Sequence, residues 1–415
     1  MHRILLLIPT TSYRTKAFID AARSMNVEVT VGSDHKSTLA EMNPEGFLTI
    51  DIHDIPKAVE SARSFSQSYP FDAVIGVDDQ SVIAASAIAE ELNLHHNTII
   101  SVSAARNKYI MREFLSQRSI RQPSYVRCSL DKPPEHLINL ISFPVVVKPV
   151  TLSGSRGVIR VNTPDELRDA FGRIKRLLNA VDEKDLKQED RFLLIEEYID
   201  GHEVAVEGLL VNGECRVLAI FDKPDPLTGP YFEETIYTTP SRHNRKLQDE
   251  CSAMLGEAAS ALKLSRGPVH AEFRFNDTGI YTIEIAARSI GGYCSKVLRF
   301  RDTAENDRPV SLEELIIRDA LSDRVDMIRR ETDAAGVMMI PVPGRGILRG
   351  VKGVTEARNV PHITDVLLSA PTGKELIPLP EGGKYPGFIF ARADDPADVE
   401  RALRNAHKKL IFDVG

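Results

Sequence analysis

Between Val269 and Gly292 the chain reads VHAEFRFNDTGIYTIEIAARSIGG, where carboxylates and guanidinium groups recur among apolar residues. Asp277-Thr278-Gly279 reads as a three-residue hairpin loop, with Gly279 supplying the left-handed backbone. Closing the hairpin on Asn276 and Ile280 pairs Phe275 with Tyr281 and Phe273 with Ile283 on one face. The other face then pairs Arg274 with Thr282, Glu272 with Glu284 and His270 with Ala286, because side chains alternate along a strand. Two carboxylates directly opposite one another repel unless a positive charge lies between them. A hard divalent cation such as Mg²⁺ meets that need, since it takes carboxylate oxygens and shares its shell with phosphates. For the hairpin by itself, two glutamates pointing into water is the alternative.

Two further stretches carry chemistry. Ser153-Gly154-Ser155-Arg156-Gly157 follows an apolar strand bearing Lys148. Glycines let a backbone approach a phosphate closely and aim its N–H groups at it, while Lys148 and Arg156 supply charge. The order differs from a Walker loop, because the lysine precedes the glycines; a generic tight turn is the alternative. In EEYIDGHEVAV, Glu196, Glu197, Tyr198 and Ile199 end a strand, Asp200-Gly201 turns, and Glu203 opens the next strand. Backbone exposed at such a strand end pairs with a nucleobase edge, and a carboxylate accepts from ribose hydroxyls. A surface hairpin with acidic residues is the plainer reading.

These residues need elements to hold them. Residues 1 to about 100 alternate short apolar strands with helical patterns at 13–25, 57–68 and 80–92, which implies a parallel sheet covered on both faces. Ligands sit at the carboxyl ends of such strands, which points to Thr10, Thr11 and Ser12, and to Asp78 and Asp79; helix capping is the other use for those residues. No G-x-G-x-x-G follows the first strand, which disfavours a dinucleotide site. Helical patterns follow at 101–119, 164–180, 246–262, 311–330 and about 396–410. The stretch 182–191 is a charged connector, and Asn212-Gly213 is a hairpin turn. The expected division is 1–100, 101–330 and 331–415, consistent with a chain too long for one core.

Net charge is −7 and no basic tract interrupts the chain, so a nucleic-acid partner is not expected. The four cysteines are scattered without a CxxC pair, which fits a reducing cytoplasm better than a disulfide or zinc scaffold. The N-terminal ILLLI is too short for a membrane span or signal core and reads as a buried strand.

Taken in order, Lys108 in a helix, Lys148 before proline, the Gly/Ser loop, E-E-x-I-x-G-x-E and a carboxylate hairpin ending EIAARSIGG resemble the ATP-grasp superfamily over about residues 100–330. Within it, E-x-A-A-R-S-x-G-G and the C-terminal YPGFIFARADDPADVERAL look like the carboxylate–amine ligases, most of all bacterial L-amino-acid ligases. The resemblance implies an N-terminal parallel α/β domain, a central fold of two α+β subdomains sandwiching ATP, and a small β-rich α+β C-terminal unit. It implies ATP as cosubstrate with Mg²⁺, or Mn²⁺ in its place, small-molecule acid and amine substrates, and a homodimer as one expected state, without a membrane partner.

Residue by residue, it implies that Lys108 and Lys148 touch the ATP phosphates and adenine, and that Ser153 to Gly157 form a flap over the phosphates. Glu196 and Ile199 present backbone to adenine, with Glu197 and Tyr198 between them, and Glu203 binds ribose. Glu272 and Glu284 hold the metal, and Arg288 stabilises the transferred phosphoryl group. Gly291 and Gly292 leave room for substrate, beside a substrate loop that includes Glu234. Lys223 adds a phosphate contact, and His270 is a candidate to take a proton from the amine. The chain departs from the common E-x-N-P-R pattern at Ala286, which cannot ligate, so the number of metal ions stays open. Alternatives are a biotin-carboxylase-like or purine-pathway enzyme, and a nucleotide-binding regulator without turnover.

Overall fold

The computed structural model describes residues 1–9, 12–35, 40–180 and 188–415. Thr10, Thr11 and residues 182–187 of the charged stretch lie outside the described residues.

The first strands form a parallel four-stranded sheet in the order Phe47–Thr49, Glu28–Ser33, Arg3–Leu7, Ala73–Gly76. Helices Thr15–Ser24, Ile55–Ser66 and Val82–Glu91 flank it. Leu5 and Leu7 pack on one side and Ile4 and Leu6 on the other, as expected for a strand buried on both faces. The expected helix at 101–119 is two helices, Ile99–Arg106 and Lys108–Gln117. Asn107 breaks it: its side chain accepts from the backbone N–H groups of Tyr109 and Ile110, which restarts the helix with Lys108 as first residue. Likewise, the expected helix at 311–330 ends at Ala320, and Ile328–Arg330 is a strand.

A second four-stranded sheet runs Tyr125–Ser129, Phe192–Glu197, Val145–Pro149, Ile159–Val161. With helix Pro164–Asn179, capped by Thr163, it encloses a core of its own. This unit is called the lid below. Asp200-Gly201 therefore does not turn a hairpin, because the strands on either side of it belong to different sheets. The strand after Gly201 enters an eight-stranded sheet ordered Gly279–Ala286, Gly267–Asn276, His202–Val211, Glu214–Lys223, Ile236–Thr239, Ala334–Met339, Gly387–Ala393, Ile363–Leu368. Every neighbouring pair in it is antiparallel. The sheet passes through the boundary expected at 330/331, so the last strands extend the same plate that carries the glutamate hairpin.

Asn212-Gly213 makes the expected two-residue turn, both residues having positive φ. The glutamate hairpin also closes on two residues, Asp277-Thr278, because Asn276 pairs with Gly279. The expected three-residue loop is thus one too long, and Asn276 Oδ1 secures the tighter turn by accepting from Thr278 N and Oγ1. Near the turn the register is Phe275 with Ile280 and Phe273 with Thr282. A β-bulge at Ile283 then restores the expected pairs Glu272 with Glu284 and His270 with Ala286.

Gly201 locks the lid to this hairpin. Its φ is +124°, and a Cβ there would stand 2.2 Å from the Phe275 carbonyl oxygen. Gly201→Ala is expected to lower stability by about 2–3 kcal/mol in urea denaturation, from left-handed strain plus a backbone clash. A shift under about 0.5 kcal/mol would show that the crossing relaxes freely.

Candidate active site

The lid sheet and the eight-stranded sheet face each other across a cleft of about 710 Å³. Strand register decides which side chains enter it. Lys223, Glu203 and Arg274 are cross-strand neighbours on three adjacent strands, and His270 stands opposite Glu207 in the same way. These residues alternate with Val204, Val206, Ala271 and Phe273, which pack against the helices behind the sheet.

Of the expected residues, Lys108, Lys148, Ser153, Gly154, Ser155, Glu196, Glu197, Tyr198, Ile199, Glu203, Glu234, Glu272 and Glu284 line this one cleft. The bulge adds Ile283 beside Glu284, although the pairing expected from sequence places Ile283 on the apolar face. Arg156, Gly157, Lys223, His270, Arg288, Gly291 and Gly292 lie outside that lining.

Lys148 sits deep on the lid wall. Its ammonium is 2.6 Å from Glu196 Oε2, while Arg112 Nε donates to Glu196 Oε1 at 2.6 Å. All three side chains are buried. Arg112 also donates to the carbonyl of the bulged Ile283 at 2.7 Å. Burial by itself would raise the Glu196 carboxyl, but Arg112 and Lys148 outweigh it and hold it below the ordinary range. Burial lowers the Lys148 ammonium despite Glu196. Arg112 escaped the sequence reading; its signal was its place four residues after Lys108, on the same helix face.

On the opposite wall one ammonium serves three carboxylates. Lys223 Nζ lies 2.6 Å from Glu203, 2.8 Å from Glu272 and 3.2 Å from Glu234. Arg274 Nε donates to the other oxygen of Glu203 at 2.7 Å. Burial opposes both charges, yet Glu203 and then Glu272 hold Lys223 well above the usual lysine range, and Lys223 and then His270 hold Glu272 well below the carboxylate range. Burial, with Glu272 nearby, raises Glu234. Lys223 thus has three carboxylates as its partners, Glu203, Glu234 and Glu272. Lys108 Nζ donates to the Leu152 carbonyl at 2.8 Å and stands 3.5 Å from Glu284.

His270 lies between Glu207, 3.7 Å from Nδ1, and Glu272, 3.8 Å from Nε2. Burial would lower its pKa, but the two glutamates prevail and raise it. The imidazole thus bridges the two glutamates from within the sheet.

The chain after the hairpin is clamped to the N-terminal sheet. Arg288 Nε is 2.8 Å from Asp79 Oδ2. Burial would raise the Asp79 carboxyl, but Arg288, then Arg106 and Lys108, overcome it and the pKa falls. Asp78 instead closes the turn that leads into helix Val82–Glu91, accepting from Gln80 N and Ser81 N. Arg14, also missed from sequence, donates to the Val77 carbonyl, Ser289 Oγ and the Ile290 carbonyl. Gly291 has the Tyr13 hydroxyl 3.8 Å from where its Cβ would be. At Gly292 φ is +59°, and Met339 Sδ lies 2.6 Å from the missing Cβ position.

A family model for the ATP-grasp domain matches residues 141–297, one for the ATP-grasp N-terminal domain matches 19–96, and one for the L-amino acid ligase C-terminal domain 2 matches 338–415. The chain thus carries an ATP-grasp domain and an ATP-grasp N-terminal domain. It is 20% identical to an uncharacterised Sinorhizobium fredii protein, over all of this chain and 84% of that one. It is 22% identical to alanine–anticapsin ligase of Bacillus subtilis, over 70% of this chain and 64% of that one. The crystal structure of an L-amino acid ligase from Bacillus licheniformis superposes with a TM-score of 0.80 at 24% identity, covering 100% and 99% of the two chains. No helix among the described residues is long and apolar enough to cross a membrane.

The ATP-grasp cleft fits a magnesium ion in part. Glu272 and Glu284 stand opposite in register and both enter it, but no cluster of three His, Cys, Asp or Glu suited to a metal ion occurs among the described residues. Such a pair suits an ion whose remaining ligands are phosphate oxygens and water.

Glu196→Gln leaves Arg112 and Lys148 buried with no anion between them. The expected loss is about 3–5 kcal/mol at neutral pH. The folded Glu196 pKa lies below its unfolded value of about 4.3, so its contribution is full above that value and is lost as pH falls through the folded one. The difference between wild type and variant should therefore shrink in acid urea titrations. A difference constant from neutral pH to pH about 3 would contradict the charge-based account.

Proposed function

We propose that this ATP-grasp chain is an ADP-forming ligase that joins the carboxylate of one amino acid to the amine of another through an acyl phosphate. The observation that carries the reading is one cleft holding Lys108 and Lys148 together with the opposed Glu272 and Glu284. The family model at the C-terminus supports amino acids as the substrate class.

In the first step a carboxylate oxygen attacks the γ-phosphorus of ATP, the bond to ADP breaks, and an acyl phosphate forms. In the second, an amine attacks the acyl carbon, phosphate leaves, and the amine releases a proton. Attack by an anion on a polyanion requires positive charge fixed in advance. Lys148 supplies it from the lid and Lys108 from the helix under the hairpin. Arg288 supplies it once the arriving carboxylate takes the place of Asp79 as its partner. Bound magnesium on Glu272 and Glu284 would neutralise phosphate charge. Glu196 and Ile199 offer backbone to adenine beside Glu197 and Tyr198, and Glu203, oriented by Lys223 and Arg274, accepts from ribose. Lys223 and His270 hold Glu272 in place. The Ser153–Gly157 flap excludes water from the acyl phosphate.

The direct test is phosphate release with MgATP across pairs of the twenty amino acids, with bicarbonate as a control and mass spectrometry of the products. Release that needs two amino acids, with a product lighter than their sum by one water, is expected. Release driven by bicarbonate would replace this reading with a carboxylase. Glu284→Gln should lower kcat at least about 100-fold with an unchanged melting temperature, because Glu284 is partly exposed and its lysine partner is 3.5 Å away. Retained turnover would remove Glu284 from the metal role.

A further inference from the structure

The flap does not end the cleft by itself. It rests on a turn of the C-terminal segment, residues 378–383. Gly157 N donates to the Pro380 carbonyl at 2.8 Å, and Arg156 Nε to the Glu381 carbonyl at 3.3 Å. Gly383 gives Arg156 its seat: a Cβ there would be 2.5 Å from Arg156 Cδ. From the lid helix, Arg173 grips Glu381 in a fork, Nε to Oε1 at 2.5 Å and Nη2 to Oε2 at 2.9 Å. Arg173 is the leading cause that holds the Glu381 carboxyl below its ordinary range.

The receiving turn is itself rigid. Gly382 N donates to the Pro378 carbonyl at 2.9 Å, and a Cβ on Gly382 would fall 1.6 Å from the Ile377 carbonyl oxygen. Shortly after Gly383, at Gly387, the chain enters the eight-stranded sheet. The turn is thus fixed to the plate that carries Glu272 and Glu284. Arg173 also donates to the Tyr231 hydroxyl, and Arg160 to the Pro230 and Thr228 carbonyls, so the loop before Glu234 hangs on the same lid.

We infer that Arg173 and Glu381 form a clasp that holds the flap shut against the C-terminal turn, making both positioning residues for the nucleotide. The inference rests on the reading of residues 153–157 as a flap over the ATP phosphates. A two-pronged guanidinium–carboxylate pair has defined geometry, yet both side chains are more than a third exposed. That combination gives a contact strong enough to bias closure and weak enough to open in each turnover. The C-terminal segment then governs how well the acyl phosphate is shielded from water, and so how many ATP molecules are consumed per product.

The experiment uses the full chain and the variants Arg173→Met, Glu381→Gln and their combination. Trypsin cleavage after Arg156 is followed with and without a non-hydrolysable ATP analogue and Mg²⁺, alongside the melting temperature. Protection of the wild type by nucleotide, with cleavage about three- to tenfold faster in each single variant and no further gain in the double, supports the clasp. Equal nucleotide protection in wild type and variants overturns the clasp while leaving the ATP reading intact. No protection of the wild type overturns both. With an active substrate pair, the single variants should also release more phosphate than product, and a ratio of one in every variant would count against the clasp.

Discussion

One carboxylate buried between two cations governs the geometry of the cleft. Glu196 belongs to the lid, Arg112 to the helix under the hairpin, and Lys148 to the neighbouring lid strand. None of the three can withdraw without leaving a charge uncompensated away from water, a penalty much larger than an ordinary surface ion pair. Arg112 extends the constraint into the other wall by taking the carbonyl of Ile283, the residue that the bulge leaves out of the ladder. The Glu196 strand, Lys148 and the Glu284 strand are therefore tied together through Glu196 and the Arg112 guanidinium.

The remaining charges sort into two environments. Lys148 on the lid, paired with Glu196, and Lys108 on the helix under the hairpin, donating to the Leu152 carbonyl and 3.5 Å from Glu284, both face the cleft. On the sheet side, Glu203, Glu234 and Glu272 crowd one ammonium. A molecule with a polyanionic end and hydroxyl groups matches the first environment and the edge of the second. Beyond them, Asp79 keeps Arg288 aligned with a carboxylate of the protein's own, and Arg14 fixes the chain that follows.

The sequence showed the parallel N-terminal sheet, the opposed pair Glu272 and Glu284, and the lysine–glycine order, because each is a local pattern of period or spacing. What it concealed depended on distant partners. Asn107 looks like one more polar residue in a helix until its side chain is seen capping the next one. Asp200-Gly201 has the composition of a hairpin turn, and nothing local tells that its two strands join different sheets. The tighter turn at Asn276 and the bulge at Ile283 shift the register by compensating amounts, so the correct glutamate pairing came from a loop one residue too long. Arg14 and Arg112 carry no motif. Each acts through a contact with chain far away in sequence.

Gly292 and Met339 have a consequence for variation. The thioether fills the space a side chain at 292 would need, and Met339 is a strand residue of the C-terminal extension of the plate. The floor next to Arg288 is thus shared between two regions of the gene. Reshaping it requires paired substitutions, one on each side, and a single replacement at 292 meets both backbone strain and an occupied volume. Descendants of such a protein would change this corner in correlated steps, while the exposed loops drift one residue at a time.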